Sequence, residues 1–105
     1  MRFVETPVFT RVITAILDDE SYRLLQSTLM VRPEQGVTIA GTRGARKLRW
    51  SRPGKGKRGG IRVIYYWAAR EAVCYMLYAY SKSAQGDLTP RQARMLAQLI
   101  REEFE

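Results

Sequence analysis

Two runs of branched and aromatic residues, Ile61 to Ala68 and Ala72 to Tyr80, are separated only by Ala69-Arg70-Glu71. Stretches of that length and composition favour strands, and so short a break predicts a hairpin. A sheet is therefore required, and the rest of the chain has to cover it. Arg46 to Trp50 alternates, with Leu48 and Trp50 on one side and Lys47 and Arg49 on the other, which predicts a half-buried strand with a basic solvent face. Residues 2 to 5 are a further short strand candidate.

The helices are read from their caps. Thr6-Pro7 offers an N-cap and a proline at the first helical position, followed at helical spacing by Phe9, Val12, Ile13, Ile16 and Leu17. Asp18-Asp19 caps a second helix with Tyr22, Leu25, Leu29 and Met30 at its apolar positions, and Pro33 ends it. Two short helices in succession form a hairpin that packs on one face of a sheet. Thr89-Pro90-Arg91-Gln92 is a capping box, and Ala93, Leu96, Ile100 and Phe104 mark one face of a terminal helix. Residues 34 to 45, with three glycines, and 51 to 60, with four glycines, one proline and four cations, read as loops. The expected order is β-α-α-β-β-β-α, an α+β fold with a small, mainly antiparallel twisted sheet. At 105 residues, the chain has the size of one domain spanning 1–105.

Several classes of protein are disfavoured. No apolar run approaches the roughly 18 to 20 residues of a membrane span, and the start, MRFVETPVFT, does not read as a signal peptide. Cys74 is the only cysteine, so neither an intramolecular disulfide nor a thiolate metal cage can form. Within AVCYMLYAY it is expected to be a buried thiol. These features together point to a cytoplasmic protein.

Charge is the less ordinary property. Eighteen Lys and Arg against ten Asp and Glu leave +8, and nine of the cations fall between Arg43 and Arg62 with no acidic residue among them. The ends differ, with Asp18-Asp19-Glu20 and Glu102-Glu103-Phe104-Glu105 both acidic. A basic stripe fixed inside a fold suits an anionic polymer or an acidic protein partner.

The chain has no histidine, which removes the commonest general acid and base, the histidine triads and most zinc sites. Its carboxylates are scattered, which disfavours a two-metal nuclease, so neither metal nor cofactor is expected. Cleavage of RNA suits what remains. The 2′-hydroxyl is an internal nucleophile beside the phosphorus, Arg and Lys can stabilise the phosphorane, and a Lys among other cations has its pKa lowered towards use as a base. DNA lacks that hydroxyl.

The loop SRPGKGKRGG lacks the spacing of a nucleotide-binding P-loop and no helix follows it. It reads as a basic hairpin embracing a nucleic-acid backbone, with Lys55, Lys57 and Arg58 as phosphate contacts. Trp50, Tyr65, Tyr66, Trp67, Tyr75 and Tyr78 are expected in the core, since strand aromatics of a small sheet pack more often than they stack on bases. Tyr80 is the exception because it shares a strand face with Lys82. For Arg62 a strand-edge salt bridge is the alternative to a substrate contact.

The stretch from Arg46 to Lys82 resembles the RelE/HigB family of bacterial toxins from type II toxin–antitoxin systems, particularly the HigB-like branch. Three pieces carry the resemblance: the basic strand Arg46 to Trp50, the glycine-rich loop and strand Gly54 to Tyr66, and Met76 to Lys82 followed by Asp87-Leu88-Thr89. Such proteins are messenger-RNA interferases that cut on the ribosome and are neutralised by a cognate antitoxin. The resemblance implies that Lys47 and Arg49 contact substrate and assist proton transfer, that Arg62 stabilises the scissile phosphate, and that Tyr80 and Lys82 complete the catalytic set. Arg46, Lys55, Lys57 and Arg58 are then RNA-binding. Arg58 stands where a small polar residue is usual, Ala84-Gln85-Gly86 replaces a more acidic turn, and Leu96 to Glu105 contains no tyrosine to match one used by some relatives. The general base is not named by the pattern. A non-catalytic RNA- or ribosome-binding module would use the same stripe, whereas a DNA-binding regulator is disfavoured because no helix combines basic residues with a helix-turn-helix pattern.

Overall fold

The structure is a computed structural model and describes residues 1–51 and 60–105. The chain runs β1 (Arg2–Glu5), α1 (Pro7–Ile16), α2 (Asp19–Val31), β2 (Val37–Thr38), β3 (Arg46–Ser51), β4 (Gly60–Ala68), β5 (Val73–Ser81) and α3 (Pro90–Phe104). The strands form one sheet in the order β1-β5-β4-β3-β2, antiparallel throughout except for the parallel pair β1–β5. The α+β class, the hairpin and the three helices are as the sequence predicts. No helix among the described residues is long and apolar enough to cross a membrane.

Each helix begins at the residue its cap predicts, and one cap also docks its helix. The Thr6 hydroxyl accepts from the Phe9 N–H at 2.9 Å and donates to the Leu77 carbonyl at 2.8 Å, fixing α1 to β5. Asp18 accepts from the Ser21 N–H at 2.7 Å. Thr89 and Gln92 exchange side-chain and backbone bonds at the start of α3. A cap of this kind is worth about 1 kcal/mol.

Helices α1 and α2 cover one face of the sheet. Phe9, Ile13, Leu25 and Leu29 pack there on Val63, Tyr65, Cys74 and Met76, with Leu48 and Trp50 at the margin. Trp50 donates from Nε1 to the Ser21 hydroxyl at 3.2 Å. Burial pushes the Cys74 thiol up to about 12, so it serves as packing. On the other face α3 lays Leu96 and Ile100 over Ile64 and Leu77. Phe104 meets Tyr66 and Tyr75 at ring separations of 4.8 and 5.5 Å. The strand aromatics are thus largely core, as expected.

Two features depart from the sequence reading. Val37 and Thr38, inside the expected loop, pair with Lys47 and Arg46 as the edge strand β2. Tyr65 draws them in: its hydroxyl accepts from the Gly36 N–H at 2.9 Å and donates to the Pro33 carbonyl at 2.7 Å. A Cβ at Gly36 would lie 2.8 Å from that ring, so only glycine allows the approach. The second feature is a bulge. Tyr65 pairs with Met76 and Ile64 with Tyr78, which leaves Leu77 as an extra residue. Tyr75 before it, Leu77 itself, and Tyr78 and Tyr80 after it consequently belong to the α3 face.

Candidate functional site

The bulge decides which side chains meet. Beyond it, Arg62 pairs with Tyr80 across β4 and β5, and Arg49 pairs with Arg62 across β3 and β4. Arg49, Arg62 and Tyr80 therefore form one cross-strand row on the α3 face, close to the end of the β3–β4 hairpin. Lys47 lies in the next row, opposite Ile64 and Tyr78. The alternation predicted for Lys47 and Arg49 thus delivers both to the face that holds Arg62 and Tyr80.

Within the row, Arg62 is 9% exposed and Tyr80 4%, while Arg49 is open to solvent. No carboxylate pairs with Arg62 among the described residues, and its hydrogen bond there is a long one, 3.5 Å, to the Ile61 carbonyl. The strand-edge salt bridge considered for Arg62 is therefore not formed within them. Residues 52 to 59 contain no Asp or Glu. A second cation, Arg49, stands directly opposite, at a spacing of about 5 Å between Cβ atoms where like charges destabilise a sheet. The Tyr80 hydroxyl is buried and makes no hydrogen bond within 3.5 Å among the described residues, although the Asp87 carboxylate lies close enough to act on it. Burial raises the Tyr80 pKa, and the Asp87 charge adds to that, against the opposing influence of Arg62. At neutral pH the phenol stays protonated and acts as a donor.

Asp87 is the residue that sequence reasoning did not assign to the site. Its Oδ1 accepts from the Leu88 N–H at 2.8 Å and from Lys47 Nζ at 3.4 Å. The Leu88 N–H, and then the Lys47 charge, hold this carboxyl below the usual carboxylate range. Lys47 therefore sits beside an anion, not solely among the cations expected to surround it. Gln85 fastens the intervening loop, donating to the Asp87 carbonyl at 2.8 Å and to Gln92 Oε1 at 2.6 Å, and its own Oε1 accepts from the Tyr78 hydroxyl at 3.4 Å. Position 87 precedes a capping box, which is the signal that could have flagged a loop locked at the start of α3.

Of two other expected site residues, Arg46 lies apart from the row and Lys82 lies at its edge, two positions beyond Tyr80. Arg46 belongs to the opposite side of β3, and its Nη1 donates to the carbonyls of Glu34 and Gly36 at 2.9 Å each, bracing β2. Lys82 lies one residue past the end of β5, exposed, with its backbone N–H bonded to the Gly60 carbonyl at 3.1 Å. Lys55, Lys57 and Arg58 lie outside the described residues. No group of three or more Cys, Asp or Glu side chains suited to a metal ion occurs among the described residues.

No family model matches the sequence. Among solved structures, a mutant of the E. coli toxin RelE in the free state matches with a TM-score of 0.58, covering 81% of this chain and 86% of that one at 11% sequence identity. The chain has a RelE-like fold. At this identity the likeness is one of backbone architecture. On the RelE-like scaffold the cations of β3 and β4 and the tyrosine of β5 share the sheet face on which α3 packs.

Proposed function

We propose that the chain is a metal-independent endoribonuclease toxin that cuts messenger RNA at the ribosome. We assign it to the HigB-like branch of its fold relatives, as a cytoplasmic protein neutralised by a cognate antitoxin. The observation that carries this reading is the buried Arg62, without a carboxylate partner among the described residues and flanked in one row by Arg49 and the buried Tyr80 hydroxyl. Burying an uncompensated cation costs several kcal/mol by general estimates, and a phosphate in the row would remove that cost. The likeness of the fold to a bacterial toxin supports the same reading.

In this mechanism the substrate's 2′-oxygen attacks the adjacent phosphorus while its proton passes to a base. A P–O2′ bond forms and the P–O5′ bond breaks, the departing oxygen takes up a proton, and a 2′,3′-cyclic phosphate remains. Arg62 and Arg49 neutralise the charge that grows on the phosphorane, and Tyr80 donates a hydrogen bond to one of its oxygens. Lys47, oriented by Asp87, and Lys82 are the groups that serve proton transfer. Arg46, Lys55, Lys57 and Arg58 contact flanking phosphates.

The test is to incubate the purified chain with ribosomes programmed with a defined message and map the cut ends. The expected products carry a cyclic phosphate, and cleavage persists in EDTA apart from the magnesium the ribosome needs. A 2′-O-methyl group at the cut site is expected to abolish the reaction. Cleavage that continues through that group overturns the chemistry. Tight ribosome binding without any cleavage leaves the row as an RNA-binding surface alone.

A further inference from the structure

Helix α3 divides two surfaces of different character. On one side Val8, Leu88, Met95 and Leu99 line an apolar groove. On the other, Arg43, Arg94, Gln98 and Arg101 wall an open hollow of about 500 Å³. Arg91, Arg94, Gln98 and Arg101 recur at three- and four-residue intervals and are all exposed, so they form one stripe along the helix, roughly 15 Å long. Arg91, Arg94 and Arg101 make no ion pair among the described residues, and Arg43 pairs with Glu105. The first turn of α3 contains no acidic residue. Arg91 thus stands in the first turn, at the positive end of the helix dipole, where cations are disfavoured. Helix stability does not call for such an arrangement.

We propose that this stripe, together with Arg43, binds the phosphate backbone of double-helical RNA, at a surface separate from the Arg49–Arg62–Tyr80 row. Every cation in it is an arginine, whose planar fork engages phosphate oxygens in pairs. A single-stranded ligand would need aromatic platforms for its bases. The aromatics at the C-terminal end of α3 are engaged instead, Phe104 packing on Tyr66 and Tyr75, and Tyr78 lies on the groove side of the helix. Recognition by backbone and shape, without base stacking, is the mode suited to an A-form duplex. An acidic protein segment would seek apolar anchors, and these lie across the helix, in the groove beside Met95. The surface stands whether or not the chain cleaves RNA.

The experiment titrates the full chain into a fluorescent RNA duplex of about 16 base pairs, following anisotropy over a range of salt. Two double variants are compared with the parent, Arg94→Gln with Arg101→Gln, and Arg91→Gln with Arg94→Gln, each checked by circular dichroism melting. Each pair is expected to weaken duplex binding about tenfold and to lower the slope of log affinity against log salt by roughly two. If one pair fails to fold, the other carries the measurement. Unchanged slopes overturn the proposal. So does equally tight binding of a DNA duplex of the same length, lost in parallel. So does loss of binding to a poly-glutamate peptide while RNA-duplex binding stays intact, which would assign the stripe to a protein partner.

Discussion

The two faces of the sheet are closed in different ways. Under α1 and α2, Phe9, Leu25 and Leu29 meet Val63, Tyr65 and Met76 with no exposure, and the polar groups present are bonded. Tyr65 reaches Gly36 and Pro33, and Trp50 reaches Ser21. Under α3 the apolar cover ends part-way. Phe104, Ile100 and Leu96 close the half near Tyr66 and Ile64, and the half near the β3–β4 end keeps Arg62 buried with no carboxylate partner among the described residues and the Tyr80 hydroxyl buried with no hydrogen bond within 3.5 Å among them. One helix cannot cover what a pair covers. The difference locates the groups whose burial is unfavourable in the isolated chain, and such groups are retained where a ligand compensates them.

Breaking the closed face should cost the most. Leu25→Ala is expected to lower unfolding free energy by about 2 to 5 kcal/mol, measured by urea denaturation. A loss below about 1 kcal/mol would mean that the face repacks freely and that the two faces differ less than their burial implies.

The open face should respond in the opposite sense. Arg62→Met is expected to leave stability unchanged or to raise it, because a buried cation with no carboxylate partner among the described residues gives way to an apolar chain of similar length. Cleavage is expected to fall by a factor on the order of a hundred or more. A variant that instead loses several kcal/mol of stability would show Arg62 to be a strut, and the contrast between the faces would collapse. Tyr80→Phe sharpens the same point. Removing a buried hydroxyl that makes no hydrogen bond within 3.5 Å among the described residues should leave stability level or raise it by up to about 1 kcal/mol, while cleavage slows on the order of tenfold. A clear loss of stability would mean that the hydroxyl is bonded within the fold.

Much of the scaffold was legible in the sequence because local signals agree with the tertiary structure. Thr6-Pro7, Asp18 and the Thr89–Gln92 box each start a helix where their chemistry requires one. The hairpin followed from its two apolar runs, and the side of β3 that carries Lys47 and Arg49 from simple alternation. What escaped depends on long-range partners. Edge strand β2 exists because the Tyr65 hydroxyl, 29 positions from Gly36, holds the loop. The extra residue at Leu77 shifts the parity of β5, and no pattern within Tyr75 to Tyr80 announces it. Arg46 adjoins Lys47 in sequence yet serves the opposite side of the strand. Asp87 meets Lys47 across 40 positions, so a reading of charge along the chain saw only cations around that lysine.

The smallest expected effect concerns that pair. The Asp87 carboxyl titrates below its ordinary range because the folded chain gives it the Leu88 N–H and the Lys47 charge. Unfolding removes both and returns it to an ordinary value of about 4. Its contribution to stability is therefore complete above that value and is lost as pH falls through the lower folded one. Its side chain is 73% exposed, so solvent and salt screen the pair and the contribution is slight. Asp87→Asn should make the acid limb of a stability-against-pH curve shallower and leave the neutral plateau nearly level. Glu105, held below its usual range chiefly by its hydrogen bond to Arg43, titrates in the same direction, and Glu105→Gln is the control that separates the two. In the cleavage assay at neutral pH, Asp87→Asn tests more than stability, since Lys47 loses the anion that orients it. A rate that falls while the stability plateau stays level would place Asp87 with the open face as a positioning residue. An unaltered rate would confine it to locking the loop at the start of α3.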